Sequence, residues 1–236
     1  MSEFQCAGCG AAQPVVRRPA NWRQILFGGW TCACGLDYDR SNRVLNILAR
    51  ASDPLGLTVD HAKLRRLRPD LYGVNSLMNT FLEITRGKFP VLPYIIEHVQ
   101  KGDSRAAVVV SIKPLLIAAY TDELDCVALL RFHDRFQRDY ELTVGSRLLT
   151  LNTYNQHPDG YDADLIPGEN YRPPWTGFHP IIAEFVASET QTIEERKQRI
   201  LPEEWARTED LGHAYVRENP GVARDGRPMN AAQSAE

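Results

Sequence analysis

The chain has 236 residues, 43% of them apolar and 24% charged, with a formal net charge of −3; this is the usage of a water-soluble globular protein and excludes disorder throughout. No apolar run approaches the about 18 residues of a membrane helix, so no membrane association is expected. The first residues, Met1-Ser-Glu-Phe-Gln-Cys6, lack a basic stretch followed by an apolar one, so the expected location is cytoplasmic.

Four of the five cysteines open the chain as Cys6-Ala-Gly-Cys9 and Cys32-Ala-Cys34. Thiolates two or three positions apart on a tight turn can converge on one tetrahedral ion, and two such turns complete its shell. Gly10 and Gly35 follow the two pairs, where freedom to take positive φ lets each turn curl toward the sulfurs. No histidine precedes His61, so an all-cysteine shell is the natural reading, and such a shell favours zinc or iron over hard cations, with zinc preferred. A disulfide would need an oxidising compartment. A redox pair would need Cys6-x-x-Cys9 to open a helix within a βαβ pattern.

On these residues the segment 4–48 resembles a zinc ribbon, a family built on two cysteine knuckles carried by facing β-hairpins. The second knuckle is Cys-x-Cys where the commoner form is Cys-x-x-Cys. The resemblance implies Cys6, Cys9, Cys32 and Cys34 as ligands of one zinc ion. Four thiolates leave no open coordination position, so that ion is expected to be structural. Cys126, in an apolar stretch with no basic neighbour in sequence, reads as a small buried residue.

Residues 43–48 read as a last ribbon strand, and Ser52-Asp-Pro-Leu-Gly56 punctuates the chain, giving domains 1–52 (ribbon), 53–188 (α+β) and 189–236 (helical extension and flexible tail). Lys63, Arg65, Arg66 and Arg68 then crowd six positions. Apolar residues at 71, 74, 77, 78, 81 and 82 predict a helix ended by Arg86-Gly87, and Val91–Lys101 predicts a shorter one closed by Gly102. Strands are predicted over 106–112, 115–120, 126–132, 140–144 and 147–153. Their short links imply an antiparallel meander of about five strands packed with helices. Residues 154–176 have no period, as functional loops often do. Phe178, Ile181, Ile182, Phe185 and Val186 trace one helix face with Pro180 in its first turn. Polar helices are expected from Thr192 and Pro202, and the sequence from Asn219 onward reads as a weakly apolar tail.

Residues 1–105 carry a net +5 and residues 106–236 a net −8, an asymmetry able to orient a partner. No nucleophile elbow or phosphate-cradling loop is present. The reading is therefore a non-catalytic cytosolic adaptor with protein partners, part of a larger assembly. Two alternatives stand beside it. One is a nucleic-acid-binding protein using the basic strip 63–68, with Arg17, Arg18, Arg23 and Trp22. The other is a metal-assisted hydrolase using the loop 154–179, where His157, Asp159, Asp162, Asp164, Glu169 and His179 gather, with His133 and Asp134 just after a predicted central strand. Asp and Asn also accumulate in loops simply because their side chains bond their own backbone.

Overall fold

The structure, a computed structural model, describes residues 4–6, 11–13, 24–25, 28–33, 37–38, 40, 53–72, 91–155, 161–173 and 175–228. The chain divides into two compact units, Met1–Arg50 and Ala51–Glu236. Of the helix expected from Asp70 to Gly87, the described start, Pro69–Tyr72, is a 3₁₀ turn, and of the tail expected from Asn219 the described part, 219–228, includes a two-residue strand, Arg224–Asp225; residues 73–87, the strand expected over 43–48 and the tail beyond 228 lie outside the described residues. No described helix is long and apolar enough to cross a membrane.

The first unit contains two short antiparallel ladders. Gln5 bridges Ala12, and the Cys6 N–H donates to the Ala11 carbonyl at 2.8 Å while Gln13 N–H donates to that of Phe4 at 3.0 Å. Strand β1 (Trp30–Thr31) pairs with β2 (Asp37–Tyr38), placing Trp30 opposite Tyr38. Between them lies a miniature core of Cys6, Trp30, Cys32 and Tyr38 with Phe4 against it. Trp30 stacks on Tyr38 with ring centroids 4.6 Å apart, and Phe4 meets Tyr38 edge-on at 5.3 Å. Two-residue strands bury too little to stand alone, so this core needs a further staple.

The second unit is α+β. After helix α1 (His61–Leu67) and α2 (Val91–Lys101) come β3 (Asp103–Ile112), β4 (Leu115–Thr121), β5 (Cys126–Phe132), α3 (Arg135–Asp139), β6 (Arg147–Asn155), β7 (Gly177–Ile182), α4 (Thr190–Arg199), α5 (Pro202–Glu218) and β8 (Arg224–Asp225). The sheet order is β7-β6-β3-β4-β5-β8. Helix α2 spans the expected residues and buries Ile95, His98 and Val99; the Gly102 N–H closes it on the His98 carbonyl at 2.7 Å.

Three expectations are corrected. The sheet has six strands and is mixed, because β8 runs parallel to β5. Its two residues are polar and carry no strand pattern of their own, and the long helix before it supplies the crossover that a parallel neighbour requires. Second, residues 140–144 form no strand. Leu142 N–H bonds the Gln137 carbonyl at 2.8 Å, Gly145 N–H bonds that of Val109 at 2.8 Å, and Glu141 sits at φ 52°. This turn returns the chain across β3, so β6 pairs with β3 rather than continuing a meander. Third, the stripe from Phe178 belongs to β7 and a 3₁₀ turn, Ala183–Phe185. As an edge strand, β7 accommodates Pro180, which has no N–H to donate.

The sheet curls so that its edge strands are tied by one side chain: Arg224 of β8 donates from Nη1 to the Phe178 carbonyl of β7 at 2.6 Å. An occupied acceptor on an edge is one less invitation to foreign strands. Helix α5, polar in sequence, lies on the sheet. Leu211, Tyr215 and Val216 pack on Val110, Leu116, Ala118, Tyr120, Val127 and Leu129. Gly212 makes this approach feasible, since a Cβ there would come within 2.6 Å of Ala118 Cβ and 2.8 Å of Val110 Cγ1. Gly212→Val is expected to lower unfolding stability by about 1–3 kcal/mol through overpacking, read from the urea midpoint.

Candidate functional site

Local hairpin geometry brings together two of the four predicted metal ligands. Cys6 follows the bridge residue Gln5 and Cys32 follows β1, and both are buried in the same aromatic cluster, at 3% and 6% exposure. Both are free of disulfides, and the Tyr38 hydroxyl donates to Cys6 Sγ at 3.1 Å. A hydroxyl aimed at sulfur favours the thiolate over the thiol, as outer-shell donors do around metal centres. The donor chemistry thus fits a soft ion: buried sulfurs, an apolar cage and a donor to one sulfur. Cys9 and Cys34 lie outside the described residues. Cys126 stands in β5 opposite Thr121; burial pushes its thiol up to about 12, the property of an inert core residue.

The second unit holds an acidic cluster that residue type and spacing did not single out. Asp103, Asp122 and Glu123 offer carboxylate oxygens within 4.8 Å of one another. A cation already lies among them. Arg105 Nε reaches Asp122 at 2.6 Å and Asp103 at 3.2 Å, and its Nη1 reaches Asp53 at 2.9 Å. Burial opposes the guanidinium charge, yet the hydrogen bonds to Asp122 and the nearby Asp103 outweigh it and raise its pKa. Arg196 adds bonds to Ser104 Oγ at 2.8 Å and to Asp53 at 3.2 Å. Asp103 accepts further from Asp53 N–H at 2.9 Å and Tyr154 Oη at 3.3 Å.

Glu123 is the strained member, with Oε2 buried and lacking a hydrogen-bond partner. Burial, then the bond shared with Asp122, pushes its carboxyl up to about 8. Burial also opposes ionisation of Asp122, but bonds from Glu123 and Arg105 bring it below its usual value. One proton is therefore shared, resting on Glu123. In the unfolded chain Glu123 releases its proton in the ordinary carboxylate range, so between that range and about pH 8 the folded state binds more protons. Stability must fall as pH rises through this window. Glu123→Gln is expected to flatten that slope, measured as urea midpoints at several pH values.

Of the loop residues, Asp162 and Asp164 both bind Arg224: Nη2 lies 3.0 Å from Asp162 and 2.6 Å from Asp164. Tyr215 Oη donates to the Asp164 carbonyl at 3.0 Å. His179 sits beside this group, its pKa lowered by burial and then by Arg224. Farther along, the loop docks on the turn between β4 and β5. Gly168 N–H bonds the Leu124 carbonyl at 3.0 Å and Arg172 N–H that of Glu123 at 2.7 Å. Gly168 is needed there because a Cβ would fall 2.2 Å from the Asp125 carbonyl oxygen. Asp125 in turn accepts from Arg207 at 2.5 and 2.6 Å, and Arg207 with Asn170 brings its carboxyl below the usual value despite burial. The structure brings Asp162, Asp164 and His179 together, with the carboxylates committed to an arginine. Glu169 is exposed, and His157 and Asp159 lie outside the described residues. His133 and Asp134 are exposed past the end of β5, where His133 borders a separate cleft.

The basic run is mostly helix α1, capped by Asp60, whose carboxylate accepts from Ala62 N–H at 2.8 Å and Lys63 N–H at 3.1 Å. Its cations have partners within the unit. Lys63 Nζ donates to the Ala187 carbonyl at 2.7 Å, Arg65 lies over the Tyr72 ring, Arg66 pairs with Asp139, and Arg68 is buried against Asp70 and the Pro228 carbonyl. Arg17, Arg18, Trp22 and Arg23 lie outside the described residues. Comparison with protein-family models, curated proteins and solved structures finds no match.

Proposed function

We propose that this chain is a non-catalytic cytosolic adaptor. In this reading its N-terminal unit is a zinc ribbon, with Cys6, Cys9, Cys32 and Cys34 holding one structural Zn²⁺, and its α+β unit offers surfaces to protein partners in a larger assembly. The observation that carries the metal reading is the convergence of Cys6 and Cys32 in one buried aromatic cluster, with the Tyr38 hydroxyl on Cys6 Sγ at 3.1 Å. Bound there, zinc would supply cross-linking of the two hairpins and no chemistry at an open coordination position. The non-catalytic reading is supported by the loop carboxylates Asp162 and Asp164, which tie the loop to Arg224 rather than standing free as general bases. The opposite net charges of the two halves of the chain, +5 and −8, favour oriented association. The test is elemental analysis of freshly prepared protein together with identification of what co-purifies with it. One zinc per chain and a reproducible protein partner are expected. Metal-free protein that remains a lone monomer at every concentration would sink the reading.

A further inference from the structure

The turn between β4 and β5 supports the long loop on its main chain and carries a crowded carboxyl group. The Glu123 carbonyl accepts from Arg172 N–H at 2.7 Å, and Asn170 bonds the Asp125 carboxylate through its N–H and its Nδ2, both at 3.2 Å. Farther along the loop, Trp175 packs on Tyr154 of β6 with ring centroids 5.9 Å apart. The Glu123 side chain bonds Asp122 and Tyr154, while its Oε2 is buried with no hydrogen-bond partner. Charges face this carboxyl from several elements. Strand β3 brings Asp103 and Arg105, and α5 brings Glu204, which accepts from Ala106 N–H at 2.8 Å. Arg105 is shared by Asp122, Asp103 and Asp53, Arg196 of α4 bonds Asp53 and Ser104, and Arg207 of α5 bonds Asp125. The loop adds Glu169 and Arg172, both exposed. An ionised Glu123 would stand beside Asp103 and Asp122 while these arginines hold other carboxylates.

We propose that Glu123 is a proton-operated latch: with its proton it keeps the chain beyond Asn170 docked on the β4–β5 turn, and on losing it lets Tyr171–Pro173 and Trp175 swing away. Of the three clustered carboxyl groups, this is the one able to leave. Asp103 is wholly buried in β3, opposite Asn152, and Asp122 is clamped by Arg105 at 2.6 and 3.1 Å. Glu123 lies on a turn outside the β4–β5 ladder. Carboxylates this close must either share a proton or move apart. Burial, then the bond with Asp122, keeps the proton on Glu123 up to about pH 8. A buried carboxylate that leaves for water turns its own residue, and the carbonyl holding Arg172 N–H belongs to that residue. Burial opposes the charge on Asp125, but Arg207 and Asn170 outweigh it, so this anchor persists and makes Asn170 the hinge. The docked state belongs to the acid side and the open state to the alkaline side. Opening exposes Tyr171 and Trp175, which are half-buried when docked. The device lies wholly in the second unit and needs neither the metal nor a partner.

The test is amide hydrogen exchange of the full chain, followed by nuclear magnetic resonance and expressed as protection factors, so that the intrinsic pH dependence of exchange is removed. Zinc content is recorded, which separates failure here from failure of the metal centre. The docked state holds the Glu123 proton up to about pH 8, whereas the open state releases it in the ordinary carboxylate range. Opening should therefore grow with pH between those limits, by at most about tenfold per pH unit for one proton, and level off above them. Arg172 N–H is expected to lose about tenfold or more in protection across this window. The references are Leu165 N–H, bonded within the loop to Asp162, and Gly145 N–H, bonded to Val109; both should stay level. Glu123→Gln keeps a neutral group in place and should leave Arg172 protected at every pH. The wild type alone supplies a second reading: the carbon-13 shift of the Glu123 carboxyl should titrate where the loss of Arg172 protection ends. Steady Arg172 protection in the wild type overturns the proposal, as does a parallel fall at Leu165 and Gly145, or an undiminished fall in Glu123→Gln. Titration of Glu123 in the ordinary carboxylate range overturns it too.

Discussion

Under the zinc-ribbon proposal, Cys32→Ser is expected to release the zinc and unfold the N-terminal unit, leaving the α+β unit with its own transition. A serine hydroxyl does not ionise near neutral pH and is a poor ligand for a soft site, so the shell loses one of four donors. The unit has little else to hold it. Its described core is three rings and two cysteines on two-residue strands, whereas structural zinc contributes about 10–16 kcal/mol in small ribbons and fingers. Metal per chain by elemental analysis, and near-ultraviolet circular dichroism of the stacked Trp30–Tyr38 pair, read the two effects. Tyr38→Phe keeps the ring and removes only the donor to Cys6 Sγ, so it should retain the fold with zinc affinity lowered by about tenfold in a chelator competition. Cys126→Ser should leave the metal content unchanged. Full zinc occupancy in Cys32→Ser would remove Cys32 from the ligand set.

The second large effect belongs to Arg105→Met. The substitution keeps most of the aliphatic volume and removes the cation shared by Asp103, Asp122 and Asp53. Asp103 is wholly buried, and an unpaired charge inside a protein is far more costly than the pair that neutralised it. A loss of about 3–5 kcal/mol is expected, read from urea unfolding near neutral pH. Part should return in acid, where protonation relieves the stranded carboxylates. Combining Arg105→Met with Asp103→Asn should recover part of the loss at neutral pH, because the two residues share one interaction and their effects cannot add. Simple additivity of the two variants would show that Arg105 acts through packing alone.

Strands β3, β4, β5 and β6 were legible in the sequence because each carries enough β-branched and apolar residues to declare itself locally. Helix α2 was legible for the same reason, with Ile95 and Val99 on its buried side and Gly102 ending it. Strand β8 could not be read, since Arg224 and Asp225 become a strand only by lying beside Leu130 and Arg131. The β7 segment misled because Phe178, Ile181, Ile182 and Phe185 satisfy a helical spacing while a strand followed by a 3₁₀ turn buries the same four residues. The acidic cluster was hidden for another reason: Asp103 is 19 positions from Asp122, and only the β3–β4 pairing and the turn after β4 bring them together.

The amino-acid order alone was enough for the α+β class and the principal strands and to propose the thiol ligands, all of which depend on residue type and short-range spacing. Which carboxylates are tied to which arginines, and how β6 returns to β3, were decided by the folded chain. Ion pairs and clefts arise between residues far apart in sequence, and local propensity carries no record of such distances.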